Sequence, residues 1–188
     1  ALIAVQTGQV PSHPRWAPGS RVGVWVDARQ APPDGVRMAD RAVAQWHAAL
    51  GGHVELVVVA RPEQAQITVS FVRATDVYGE TYPHVNLRTG LIDRAEVRIS
   101  ADVPGEPLRG AIVTYLTALH ELGHAIGLEH TLEFDDIMYT FHLPDDGARY
   151  FARYRARVGT IDDIGSRAAS GLSVSDVRRV QDLYGGPR

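Results

Sequence analysis

The stretch HELGHAIGLEH, residues 120–130, decides how the rest of the chain is read. It closes an apolar helical pattern, RGAIVTYLTALHELGHAIG (109–127). Residues four apart on a helix share a face, so His120 and His124 stack and can offer two imidazoles to one ion. Glu121 stands beside them, where a carboxylate can flank an ion without ligating it and take a proton from water. Gly127 can turn the backbone left-handed and stop the helix. The chain then folds back and His130 can complete a three-histidine set. Three nitrogen ligands leave one coordination position open, as a catalytic zinc needs; a structural site would more often close with a fourth protein ligand. The competing reading is that these are ordinary helix residues. Five fixed residue types at fixed spacing arise by composition on the order of once in 100,000 such chains, which favours the metal.

Composition narrows the classes. The 188 residues suit one domain, and 45% apolar content can build a sizeable core. A net charge of −3 argues against nucleic acid and acidic membranes as partners. All 19 basic residues are arginine, which together with the lack of disulfides points to a bacterial source. There is no cysteine, hence no disulfide, thiol nucleophile or thiolate metal site. The opening ALIAV is too short and lacks the basic flank for a signal peptide, and no run approaches the ~20 apolar residues of a membrane span.

The remaining pattern alternates strands and helices. PSHPRWAPGS (11–20) reads as an extended arm and VGVWV (22–26) as a strand with Trp25 in the core. VRMADRAVAQWHAAL (36–50) is an amphipathic helix with Val36, Ala39, Val43, Trp46 and Leu50 on one face, ended by Gly51 and Gly52. HVELVVV (53–59), QITVSFV (66–72) and AEVRIS (95–100) read as strands, with PGEP (104–107) as a breaker. GETYPHV (79–85) reads as a short edge strand, where a proline is tolerated. Residues 131–146 are loop-like. GARYFARYRARV (147–158) is a short helix whose Arg149, Arg153 and Arg157 form a solvated face over core aromatics. After a polar connector (160–171), residues 172–185 form a last helix, with Ser173 as N-cap and Gly185 beyond its end.

HELGHAIGLEH fits HExxHxxGxxH, the signature of the metzincin metallopeptidases. DDIMY (135–139) looks like the methionine turn of that family, and Thr131 after the third histidine resembles the matrixin branch. RAVAQW, AQITVSF and LSVSDVRRVQDLYG also sit where matrixin catalytic domains carry similar segments. The resemblance implies an α+β fold in one catalytic domain. A twisted, mostly parallel five-stranded sheet with an antiparallel edge strand and two long helices would form an upper lobe (1–127). A small lower lobe (128–188) would hold the C-terminal helix. It further implies a zinc endopeptidase with one ion on His120, His124 and His130, Glu121 as general base, and Met138 beneath the metal. Asp176 would brace the methionine turn. Substrate would pair with the edge strand at Gly79, Glu80, Thr81 and Tyr82. Tyr139, directly after Met138, is not assigned to zinc. Peptide or protein substrates, a monomer, and a secreted or periplasmic setting are expected.

The chain also departs from that pattern. Without cysteine there is no cysteine switch. His84, Asp76 and Asp93 are too few for the family's second, structural zinc. Calcium has room but no supporting motif. Ser175 stands where many matrixins have an aspartate that pairs with the freed N-terminal amine. The stretch from Met138 to Leu172 is longer than usual and is expected to wall the primed side of the cleft. Two other functions compete: a peptide- or protein-binding module on the same fold with weak or no turnover, and an enzyme cutting a non-peptide bond. The intact Glu121 argues against the first.

Overall fold

The structure is a computed structural model and describes residues 13–185; the opening ALIAV and the last three residues lie outside it. Among the described residues the elements are β1 (Arg21–Val26), α1 (Gly35–Ala49), β2 (Glu55–Val58), β3 (Ile67–Val72), β4 (Gly79–Val85), β5 (Ile92–Ser100), α2 (Pro107–Ala125), α3 (Asp146–Arg155) and α4 (Val174–Gly185). The strands form one sheet in the order β2-β1-β3-β5-β4. Pairings are parallel except β4 with β5, which is antiparallel, so β4 is the outer strand.

Strand alternation explains the core. Val22 and Val24 of β1, Ile67, Val69 and Phe71 of β3, and Ala95, Val97 and Ile99 of β5 are all buried. Side chains two apart share a face, so these residues form one apolar surface. Met38, Ala39, Ala42, Val43 and Trp46 of α1 supply its buried partner face. The fully buried Trp46 donates its indole N–H to the Leu119 carbonyl at 2.7 Å, which ties α1 to α2 and satisfies the one polar atom of that ring. Trp25, expected in the core, is only half-buried. It lies between Val24 and Val26, and the pleat sends it to the face opposite Val24.

α2 starts earlier than the breaker reading of PGEP suggests. Pro107 opens it, where a missing N–H costs nothing, and the Glu106 carboxylate accepts from the N–H groups of Leu108 and Arg109. The far end is secured by distant residues. Gly127 has φ +96°, the left-handed value expected for the stop. A Cβ there would also collide with the Pro14 carbonyl. The last-turn carbonyls of Ala125 and Ile126 accept from Trp16 Nε1 at 2.9 Å and from the Tyr184 hydroxyl at 2.7 Å. The N-terminal arm and α4 thus fix the end of α2, where the candidate ligands lie.

Smaller differences concern boundaries. β2 is shorter than 53–59, and Gly185 is the last residue of α4 rather than beyond it. Ser173 caps α4 as expected, its hydroxyl accepting from the Asp176 N–H at 2.9 Å, while Asp176 accepts from the Ser173 N–H at 2.8 Å. The polar connector contains two short 3-10 turns, Ile161–Asp163 and Arg167–Ala169.

Candidate metal centre and cleft

His120 and His124 project from the last turns of α2, and the turn at Gly127 returns His130 to them. His130 Nε2 lies 3.3 Å from His120 Nε2 and 3.0 Å from His124 Nε2. Nitrogens about 2.0–2.1 Å from a tetrahedral zinc stand about 3.3 Å from one another, so the spacing fits that ion. The opposite ring nitrogens are engaged. His120 Nδ1 lies 2.6 Å from the Ile137 carbonyl and His124 Nδ1 lies 2.8 Å from the Leu128 carbonyl. Carbonyls only accept, so each Nδ1 carries the proton and each Nε2 turns a lone pair inward. His130 can donate to one of those lone pairs but not to both; a cation satisfies all three. Burial also keeps these rings neutral. It pulls His120 down to about 4, and it lowers His124 and His130 as well.

Met138 is fully buried. A Cβ on Gly123 would run into the Met138 sulfur and stand 3.2 Å from the Trp46 ring. The glycine inside HELGH therefore lets the methionine turn pack against α2, a role the spacing of the histidines does not reveal. Asp176, fully buried, accepts from the Ile137 N–H at 2.8 Å and so holds the same turn. Ile137 is the residue whose carbonyl orients His120, so α4 reaches the histidine cluster through one residue. The hydroxyls of Ser173 and Ser175 both donate to Asp136, at 2.7 and 3.2 Å.

Glu121 is 6% exposed. Burial raises its carboxyl to about 7, partly opposed by the hydroxyl of Thr81, and the nearby Glu80 adds to the rise. A cavity of about 170 Å³ opens beside it. His120, Glu121 and His130 line it together with Phe141, Tyr150 and Phe151. The long segment after Met138 thus contributes pocket wall. Tyr139 donates its hydroxyl to Asp146 at 2.8 Å, away from the histidines. Asp146 also accepts from the N–H groups of His142 and Leu143, each at 2.9 Å, and these bonds hold its carboxylate below the usual range. Sequence reading missed Asp146; an aspartate opening a helix after a loop is the signal that could have found it. Tyr150, Phe151 and Tyr154 of α3 are buried, while Arg149 and Arg153 stack on Phe134 at 5.0 Å and Arg153 pairs with Asp135.

Gly79, Glu80, Thr81 and Tyr82 lie on β4, whose outer edge pairs with no strand among the described residues. Gly79 and Thr81 meet Glu121, whereas Glu80 and Tyr82 pair with each other. The described residues yield one group of three or more histidine or carboxylate side chains able to hold a metal, His120, His124 and His130; His84, Asp76 and Asp93 form no second one.

The matrixin family model matches residues 28–150. The chain belongs to the matrixin family. Matrilysin from Felis catus is 35% identical over 78 residues, a stretch that covers 41% of this chain and 22% of that protein. The mostly parallel sheet with its antiparallel edge strand and a C-terminal helix is the matrixin fold. No helix among the described residues is long and apolar enough to cross a membrane.

Proposed function

We propose that this matrixin is a zinc-dependent endopeptidase, with His120, His124 and His130 as ligands and Glu121 as general base. One observation carries the reading: three imidazole nitrogens converge next to a buried carboxylate, at the mouth of an apolar pocket and beside an open strand edge. When bound, zinc would lower the pKa of a water towards ~7 and polarise the scissile carbonyl. The chain's own residues do the rest. The backbone of β4 at Gly79–Tyr82 pairs with an extended peptide and fixes its direction. One side chain of that peptide enters the pocket walled by Phe141, Tyr150 and Phe151. Glu121 accepts a proton from the attacking water and returns it to the leaving amine. Met138 supports the ligands from below without joining them.

In this reading residues 1–188 form one catalytic domain, with the cleft between an upper lobe (1–127) and a lower lobe (128–188). The protein works as a monomer and is secreted or periplasmic; membership of the family supports the secreted setting. The test is cleavage of casein and of a fluorogenic peptide by the wild type and by Glu121→Ala. The wild type should cleave both and stop with phenanthroline. Glu121→Ala should hold one zinc per chain while kcat falls by about 10²–10⁴. Unchanged turnover in the variant would sink the mechanism. Zinc retention with no cleavage even by the wild type would favour a binding module.

A further inference from the structure

β4 sends alternate side chains to opposite sides. Glu80 and Tyr82 turn away from α2; the Tyr82 hydroxyl donates to Glu80, and the Arg98 guanidinium of β5 lies 5.1 Å over the Tyr82 ring. Gly79 and Thr81 turn towards α2, and both meet the same residue. Thr81 Oγ1 lies 2.7 Å from Glu121 Oε2 and 2.9 Å from the main-chain oxygen of Glu121. A Cβ on Gly79 would stand 2.7 Å from Glu121 Cγ, 2.7 Å from Thr117 Cγ2 and 3.0 Å from Glu121 Oε1. The first two distances are closer than real Cβ contacts come, so only glycine lets the strand lie this close to the helix.

We propose that Thr81 is a positioning residue for Glu121, its hydroxyl tying the carboxylate to the strand that would carry the substrate, with Gly79 allowing the approach. The inference rests on the reading of Glu121 as the base. A glutamate side chain has several rotatable bonds, and a base must meet its proton within about 2.6–3.2 Å. Thr81 removes that freedom in two ways. Its branched Cβ is stiff about χ1, which points the hydroxyl. The hydroxyl has a single hydrogen to share between two acceptors that belong to one residue, so it holds the backbone and the side chain of Glu121 in one relative arrangement. Oε2 is occupied by Thr81, and Oε1 lies over Gly79. Because Thr81 and the substrate-pairing backbone share one strand, substrate and base are set by the same element.

The experiment compares kcat and KM for a fluorogenic peptide across wild type, Thr81→Val, Thr81→Ala, Thr81→Ser and Glu121→Ala, with zinc content and thermal unfolding measured for each. Thr81→Val keeps the shape and removes the hydroxyl. It should lower kcat about ten- to a hundred-fold, the range that small misplacement of a catalytic group produces, with KM within about two-fold of wild type and zinc retained. Thr81→Ser restores the hydroxyl and should return kcat to within about three-fold of wild type. A role in packing alone would let Val substitute and would give Ser no advantage. Wild-type kcat in Thr81→Val beside an inactive Glu121→Ala overturns the Thr81 proposal alone. An active Glu121→Ala overturns the reading beneath it. A change confined to KM, or loss of zinc in both hydroxyl-free variants, also overturns the proposal, because Thr81 would then serve substrate binding or the fold.

Discussion

Residues 120–130 and residues 139–171 wall the same cavity but are built differently. In the first, a helix period stacks His120 on His124, and one left-handed glycine returns His130 within 3.3 Å of both. Its geometry is mostly local. The second has little regular structure beyond α3 and is held by distant partners. Tyr150 donates to the Asp136 carbonyl at 3.0 Å. Arg41 of α1 donates to the carbonyls of Ile161 and Ile164, each at 2.7 Å, and Gln45 to that of Gly165 at 2.9 Å. The histidine wall is therefore shaped by its own backbone and fixed at its end by Trp16 and Tyr184, whereas the pocket wall takes its shape from the grip of α1 and the methionine turn. Changes in the two should fail in different ways.

The largest effect belongs to the histidine wall. His124→Ala leaves two of the three proposed ligands, so zinc content should fall and peptide cleavage should drop by at least about a thousand-fold, with the urea midpoint of the metal-free protein little changed. A variant that kept both zinc and cleavage would break the view of this wall as the chemical one. Next comes the joint between the walls. Asp176→Ala strands the buried N–H of Ile137, at about 1–3 kcal/mol, and removes the partner of the half-buried Ser173 N–H, seen as a lower urea midpoint. Weaker zinc retention should accompany it, since the Ile137 carbonyl orients His120. The smallest effect lies in the pocket wall. Asp146 is held below the ordinary carboxylate value of about 3.9, so its contribution is present above that pH and is lost as pH falls through the lowered value. Asp146→Asn keeps an acceptor for His142 and Leu143 but removes the charge. Its unfolding midpoint should follow pH less steeply than that of the wild type in acid; parallel curves would show that this carboxylate does not hold the loop.

Legibility in the sequence followed the range of the interactions. α1, α2 and α4 were readable because their apolar residues recur at helical steps. β4 was readable as an edge despite Pro83, because a proline is tolerated where no neighbour needs its N–H. The clustering of His120, His124 and His130 was readable because their spacing is a backbone property. Trp25 was misread because an apolar strand does not say which of its faces the helices cover. The grip of Thr81 on Glu121 spans 40 positions and that of Asp176 on Ile137 spans 39, and nothing periodic links either pair. The need for glycine at position 123 is set by Met138, fifteen residues on, which packs where a Cβ would stand.

By itself the sequence determined the set of groups that can meet a metal: helix geometry fixes which side chains share a face, and Gly127 fixes where the chain turns. Only the tertiary structure decided how that set is held and what stands opposite it. The carbonyls that orient the imidazoles, the hydroxyl that ties down Glu121 and the aromatics that close the pocket are contributed from elsewhere in the chain. They come together only once the sheet, α2 and the segment beyond Met138 pack against one another.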